Sequence, residues 1–521
     1  MAVPGTVRSV TFDVLRALGI DTIFGNPGST ELPMFRDFPE DFRYILSLQE
    51  SVALGMADGY AQATRNAAVT NFHSSAGLGH ALGNLFTAAK NQTPLVVTAG
   101  QQARSILPFE PFLYAERPTE FPQPFVKWSC EPARAQDVPR AIARAYHIAM
   151  TPPYGPTFVS IPVDDWDQPC DPIAPRRVAS HLPGDPDLLR EIAVALASST
   201  RPALVVGAGI ARDQAWDEII ALAERHQAEV WVAPFAARNA FPEDHPLFRG
   251  FLLAMRDKIN EALHPYDVIV AIGGPLSLYH IEGEGPHVPE GVATYLITDN
   301  PSIATWAPAG TALLANCREA IGRLLAGPSP IEPRPLQERA SLPALGPGVL
   351  TDGYLLQQIA ALRRKDAIIV EEAPSSRSPM HDRLPILVKD GFYTCASGGL
   401  GHGLPAAIGV ALGRPGEHVI AVLGDGSSMY SIQGLWTAAQ LGLHITFVII
   451  NNGRYEALIG FGRLFGMQQI QGSHLPGIDF CGLARAQGVK SWLVDKTSNL
   501  DAALSEAFAT KGPTLVEVRV D

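Results

Sequence analysis

Cysteine is scarce in this chain of 521 residues: there are five, at 130, 170, 317, 395 and 481, an odd number with no pair at CxxC spacing. That excludes a disulfide framework and a thiolate zinc site, and leaves the five as interior filler. Nowhere do eighteen apolar residues run together, and residues 1–10 (MAVPGTVRSV) lack the apolar stretch of a secretory leader, so neither a membrane span nor export is expected. Lysine and arginine never gather into a basic run. With 40 of them against 52 Asp and Glu the formal net charge is -12, which argues against nucleic acid and an anionic membrane as partners. Low-complexity tracts and short repeats are missing too. What is present, 46% hydrophobic and 18% charged residues, fits a well-packed globular protein, expected to be soluble and cytoplasmic, of about three domains.

Two proline-rich passages, 168–186 (QPCDPIAPRRVASHLPGDP) and 327–347 (GPSPIEPRPLQERASLPALGP), read as linkers. They set the expected domains at 1–180, 187–327 and 348–521. Within each, short apolar runs alternate with amphipathic stretches, so the expected fold class is α/β with three doubly wound, mostly parallel sheets. The first domain should hold strands at 22–24, 44–48, 68–72, 95–98 and 157–161. Its first three strands end in GNPGS (25–29), Gln49-Glu50 and HSSAG (73–77). Ligand groups in open α/β sheets collect at carboxyl ends of strands, so Ser29, Glu50 and His73 can converge. Each also has a plain structural reading. Glu50 opens a helix over 50–63 and can simply stabilise its dipole; Ser29 can cap a helix starting near Glu31; a single His after a strand is commonly structural. The middle domain should hold a helix at 188–197 and strands at 203–206, 229–232, 268–272 and 294–297.

Residues 418–455 carry the strongest pattern. They read as a strand (418–423), the turn Gly424-Asp425-Gly426-Ser427, a helix through Ala439, and a second strand (445–450) ending at Asn451-Asn452. In a parallel sheet that unit opens a crevice in which helix N–H groups face an anion such as a phosphate. Glycines at 424 and 426 permit close backbone approach, while Asp425 and Asn452 offer hard oxygens of the kind magnesium takes alongside a diphosphate.

GDG, twenty-four residues, then NN is a spacing that resembles the thiamine diphosphate (ThDP) enzymes. Two crevice-bearing domains flanking a Rossmann-like one resemble the decarboxylase layout of that family along essentially the whole chain. The resemblance implies a first domain that binds the aminopyrimidine, a third that binds the diphosphate, and a site shared between two subunits. A dimer is then the minimum and a homotetramer the implied state. Asp425, Asn452 and the backbone carbonyl of Arg454 would hold Mg2+, with Ca2+ able to substitute. Glu50 would exchange a proton with the pyrimidine, and Leu400, in CASGGLGHGLPAAIG (395–409), would wedge the cofactor into its bent form. Gly424, Gly426, Ser427, Tyr455 and Ser375 complete the implied cofactor contacts.

The finer resemblance is to the benzoylformate decarboxylases, through TIFGNPGSTELP (22–33), NFHSSAG (71–77), TAGQQAR (98–104), VKWS (126–129), VWVAPFAAR (230–238) and LWTAAQ (435–440). It implies non-oxidative loss of CO2 from an aromatic 2-oxo acid. Ser29 would bind the substrate carboxylate, His73 and His280 would move protons, and Phe112, Leu113, Thr394, Ala457, Leu458 and Phe461 would line the substrate pocket. Two positions depart: Thr394 stands where those enzymes have phenylalanine, and Pro374 where they have threonine. Residues 119–129, around Glu120, resemble a structural cation segment with altered ligand positions. An FAD-containing relative of the acetohydroxyacid synthase type is a rival reading, but Gly207-Ala208-Gly209 leads only to GxGxxR, so no FAD is expected. An acyloin lyase or carboligase, and a catalytically silent ThDP-binding protein, are the other rivals.

Overall fold

The computed structural model describes residues 5–174, 176–330 and 342–520. Residues 1–4 of the opening stretch and 331–341 of the second proline-rich passage lie outside the described residues. The chain divides into two units. One holds the described residues up to Ala179 together with Val370–Ser375 and those from Ser397 onward; the other holds Ser180–Ile369 and Ser376–Ala396.

In the first unit, six parallel strands stand in the order Arg43–Leu46, Thr22–Asn26, Ala68–Phe72, Leu95–Gln101, Pro156–Pro162, Ser129–Cys130. All five expected strands are present, with ends shifted by up to three residues. The central ones are buried along their whole length, as strands covered on both faces must be. The same unit holds Val419–Gly424, Ile445–Asn451, Thr514–Arg519 and Lys490–Val494, parallel and adjacent in that order.

Two expectations are corrected. The helix drawn through Ala439 is two helices, Asp425–Met429 and Gly434–Leu441. The chain steps aside between them so that Gly434 can pack against Leu404, where a Cβ would come within 2.6 Å of Leu404 Cδ2. The first proline-rich passage is also not all linker, because Pro169–Cys170 pairs antiparallel with Gly5–Thr6.

The helices Glu50–Thr64 and Gly403–Gly413 pack with near backbone contact. Each carries small residues four apart on the shared face, Gly55 and Gly59 on one, Gly409 and Gly413 on the other. A Cβ on Gly59 would lie 2.2 Å from Ala406 O, and one on Gly409 would lie 1.9 Å from Met56 O. Only glycine allows this approach.

The second unit builds one parallel sheet in the order Phe248–Phe251, Glu229–Val232, Pro202–Val206, Val268–Ile272, Ala293–Thr298, Thr311–Leu314. Separate apolar cores on its two faces make it doubly wound. The edge strands Phe248–Phe251 and Thr311–Leu314 were not expected; each buries a single residue and so carries no clear alternation. Gly207 and Gly209 pack against the Gly273-Gly274 turn, where a Cβ on Gly207 would meet Gly274 Cα at 2.5 Å. Their small size therefore serves the contact between two turns.

Candidate active site

Asp425 lies at the carboxyl end of Val419–Gly424, in the first turn of Asp425–Met429. Its Oδ1 accepts from Gly426 N–H at 2.7 Å, while Oδ2 is buried without a hydrogen-bond partner. Burial pushes the carboxyl pKa up, and the nearby N–H groups of Gly426, Gly453, Arg454 and Asn452 offset only part of that. An orphaned carboxylate oxygen of this kind calls for a cation. The neighbouring loop supplies the rest of an oxygen donor set. Asn452 Oδ1 accepts from Arg454 N–H at 3.1 Å, which fixes the turn, and Gly453 takes a left-handed φ of 65° that suits glycine. Among the described residues no group of three or more His, Cys, Asp or Glu gathers as a metal cluster. The donor set therefore fits a hard cation completed by a diphosphate rather than a self-contained cage. Tyr455 covers Gly426, whose Cβ would fall 2.2 Å from the ring, and Ser427 is buried in the same turn.

His73 ends the strand Ala68–Phe72 and opens the helix Ser74–Asn91. Its Nδ1 lies 2.9 Å from Glu31 Oε2 and 3.0 Å from Thr30 Oγ1. A carboxylate can only accept, so Nδ1 carries the proton and Nε2 is left for other chemistry. Glu31 is itself buried and accepts from Gly28 N–H at 2.8 Å and Gly100 N–H at 3.0 Å. The ring lies on Gly28, where a Cβ would come within 2.2 Å of it. Ser29 is exposed beside this group, and the short helix Leu32–Phe35 has no side-chain cap, so Ser29 is not acting as one.

Glu50 is the first residue of its helix, with Gln49 as the cap accepting from Val52 N–H at 3.0 Å. The Glu50 side chain is 11% exposed and pairs with His80 Nδ1 at 3.1 Å. It is thus more than a dipole partner.

Leu400 sits on a glycine loop held from two directions. Glu372 accepts from Gly401 N–H and Gly403 N–H, and Asn84 donates to Gly401 O at 3.2 Å. His402 reaches Asp58 on the Glu50 helix at 2.6 Å. Burial lifts the Glu372 carboxyl to about 7, against the opposing pull of those two amides and of His402. Gly401 has a φ of 96°, which a side chain would strain.

Among the described residues no hydrogen bond or ion pair joins the Asp425 turn to Glu50 or His73. Phe112 is 87% exposed, Leu113 has a φ of 64°, and Ala457, Leu458 and Phe461 lie on the helix Glu456–Leu464. Ser375 is exposed. In the second unit, His280 meets Phe235 edge-on at 5.8 Å between centroids. Thr394 is buried there and accepts from Arg377 Nη2 at 2.8 Å, so a polar contact stands where the resembling enzymes have a phenyl ring. Sequence reasoning missed Glu31, His80, Glu372, His402 and Asp58. Only Glu31 had a local signal, lying two residues past GNPGS; the others find their partners through the fold.

Residues 5–120, 189–324 and 380–518 match the N-terminal TPP-binding, central and C-terminal TPP-binding domains of thiamine pyrophosphate enzymes. The chain belongs to that family, and its fold is the α/β fold of those enzymes. It is similar to a benzoylformate decarboxylase of Pseudomonas aeruginosa, 40% identical with 98% of each chain covered. The crystal structure of a benzoylformate decarboxylase from Polynucleobacter necessarius superposes with a TM-score of 0.97 at 39% identity, covering 99% of this chain and 98% of that one. A 4-hydroxybenzoylformate decarboxylase from Rhodococcus jostii RHA1 gives 0.96 at 38% identity, with 99% of each covered.

Proposed function

We propose that this protein is a ThDP- and Mg2+-dependent carboxy-lyase that removes CO2 from an aromatic 2-oxo acid, with benzoylformate the leading substrate and benzaldehyde the product. The observation that carries the cofactor part is Asp425 Oδ2, buried and unpartnered beside the Asn452 turn. The likeness to decarboxylases over the full chain supports the reaction class.

ThDP, when bound, supplies a nucleophilic carbon and an electron sink for the bond that breaks. The chain's own residues do the rest. Asp425, Asn452 and the Arg454 carbonyl would hold the cation, while Gly424, Gly426, Ser427, Tyr455 and Ser375 would seat the cofactor. Glu50 would offer its carboxyl for proton exchange with the aminopyrimidine. Leu400, on its glycine loop, would support the cofactor's rings. Ser29 orients the substrate carboxylate, and His73 Nε2, its tautomer set by Glu31, delivers or removes a proton on the reacting carbon, with His280 as the second proton carrier. Phe112, Leu113, Thr394, Ala457, Leu458 and Phe461 take the ring.

The site is completed across a homodimer, and a homotetramer is the assembly we assign. The domain division is 1–180, 187–327 and 348–521, the compartment is the cytoplasm, Ca2+ replaces Mg2+, and acyloin formation is a side activity.

Aldehyde release should be measured from benzoylformate, 4-hydroxybenzoylformate, phenylpyruvate, pyruvate and a branched aliphatic 2-oxo acid, with and without ThDP and Mg2+. Aryl substrates should lead, chelation should stop turnover, and Asp425→Asn should lower it at least about 100-fold. Cofactor binding with no 2-oxo acid consumed would leave the lyase or silent-binder reading instead.

A further inference from the structure

Outside the candidate site, the first unit holds a cavity of about 620 Å³ between the helix Val138–Ala149 and the segment around Ile173. Its lining carries Lys127, Arg140, Arg144, His147 and Arg176 and no acidic residue. Arg140, Arg144 and His147 fall at i, i+4 and i+7, one face of that helix. The sequence scatters these cations over fifty residues, which is why no basic run betrays them.

Their pairing is incomplete. Lys127 Nζ donates to the carbonyls of Ile148 and Thr151, both at 2.5 Å, and so closes the helix end. Arg144 stacks over Trp128 at 5.0 Å. Among the described residues, Arg140, Arg144 and Arg176 make no ion pair, and His147 Nε2 is buried without a hydrogen-bond partner. Three carboxylates lie near. Asp137 is engaged by Arg134 at 2.8 Å, Glu131 accepts from Ser160 at 2.7 Å, and Asp171 precedes the lining segment. Asp137 also faces Arg140, but none of the three lines the cavity, so every charged residue of its lining is basic in a chain whose net charge is -12.

We propose that this cavity binds an organic oxyanion, with the guanidinium groups of Arg140, Arg144 and Arg176 on its head and an apolar body against Ala143, Ile148, Pro152 and Ile173. Guanidinium forks match carboxylate and phosphate oxygens two at a time. The volume is that of a small-molecule site and exceeds what an inorganic ion fills. Against the apolar floor an inorganic ion alone should be a poorer ligand.

The test uses the assembled holoenzyme, so that the cofactor site is already filled. Hexyl phosphate, heptanoate and inorganic phosphate are titrated by calorimetry and followed through Trp128 fluorescence, since that ring lies under Arg144. Hexyl phosphate or heptanoate should bind saturably at one per chain, at least tenfold tighter than inorganic phosphate, and more weakly as salt rises. Whichever of the two binds tighter identifies the head group. Arg140→Glu combined with Arg176→Glu should weaken binding at least tenfold while leaving decarboxylation in probe-free buffer unchanged. Arg144→Gln should weaken it with the fold intact by circular dichroism. Absence of saturable binding, or binding unaltered by the charge reversals, overturns the proposal.

Discussion

His402 Nε2 lies 2.6 Å from Asp58 Oδ2, and the two side chains are 1% and 0% exposed. The pair ties the loop that carries Leu400 to the helix that begins with Glu50. Asp58 also accepts from Gln62, Asn91 and Thr93, so the carboxylate is fully satisfied. Burial works against both charges, but their attraction and these hydrogen bonds outweigh it. The His402 pKa is held above its ordinary 6.5 and that of Asp58 below its ordinary 3.8.

The consequence for pH is directional. His402 gains a proton partner on folding, so its contribution is complete below pH 6.5 and is lost as pH rises through the raised value. Asp58 contributes above pH 3.8 and loses that contribution as pH falls through the lowered one. Melting temperature measured from pH 4 to 9 should therefore fall on the alkaline side, and His402→Phe should flatten that limb. Parallel curves for the two proteins above pH 6.5 would refute the assignment. Asp58→Ala, which strands His402, should cost about 3–5 kcal/mol in chemical denaturation.

Glu372 gives a second titration. Its carboxyl is lifted from an ordinary 4.5 to about 7, so the folded state holds a proton the unfolded state has released, and stability falls as pH rises between those values. Glu372→Gln should remove this slope. One of the Gly401 and Gly403 N–H groups would then face an amide NH2 in place of an oxygen. The loop under Leu400 should loosen, and ThDP affinity, read by fluorescence quenching, should fall about tenfold, the effect of losing one buried hydrogen bond.

The Glu31–His73 contact separates orientation from proton transfer. His73→Ala should lower kcat about 100-fold or more, the usual worth of a positioned acid or base. Glu31→Gln can accept from or donate to Nδ1 and no longer fixes the tautomer, so kcat should fall by less. ThDP binding should be nearly unchanged in both. A Glu31→Gln enzyme with the parent kcat would show that the carboxylate is only a structural anchor.

Two glycine substitutions should act in opposite directions. Gly409→Ala places a Cβ 1.9 Å from Met56 O and should cost about 3 kcal/mol or more, because backbone must move. Gly322, inside the helix Cys317–Leu325, has nothing within 4 Å of an added Cβ, so Gly322→Ala should stabilise by about 0.5–1 kcal/mol. Urea unfolding of both variants measures the contrast.

Residues whose role is announced by neighbours in the chain were legible from sequence. Apolar runs such as 203–206 and 268–272 give strands at those positions because a strand buried on both faces has no polar residue to interrupt it. Gly424-Asp425-Gly426 and Asn451-Asn452 end adjacent strands that pair residue for residue, Gly424 opposite Ile450, so a spacing in sequence becomes a juxtaposition in space. Only the tertiary structure decided the partners of His73, Leu400 and Asp58. Glu31 approaches His73 across 42 positions, and Asp58 meets His402 across 344. An ion pair of that separation leaves no periodicity in the chain. It forms because glycines at 59 and 409 let two helices approach until their buried charges can meet.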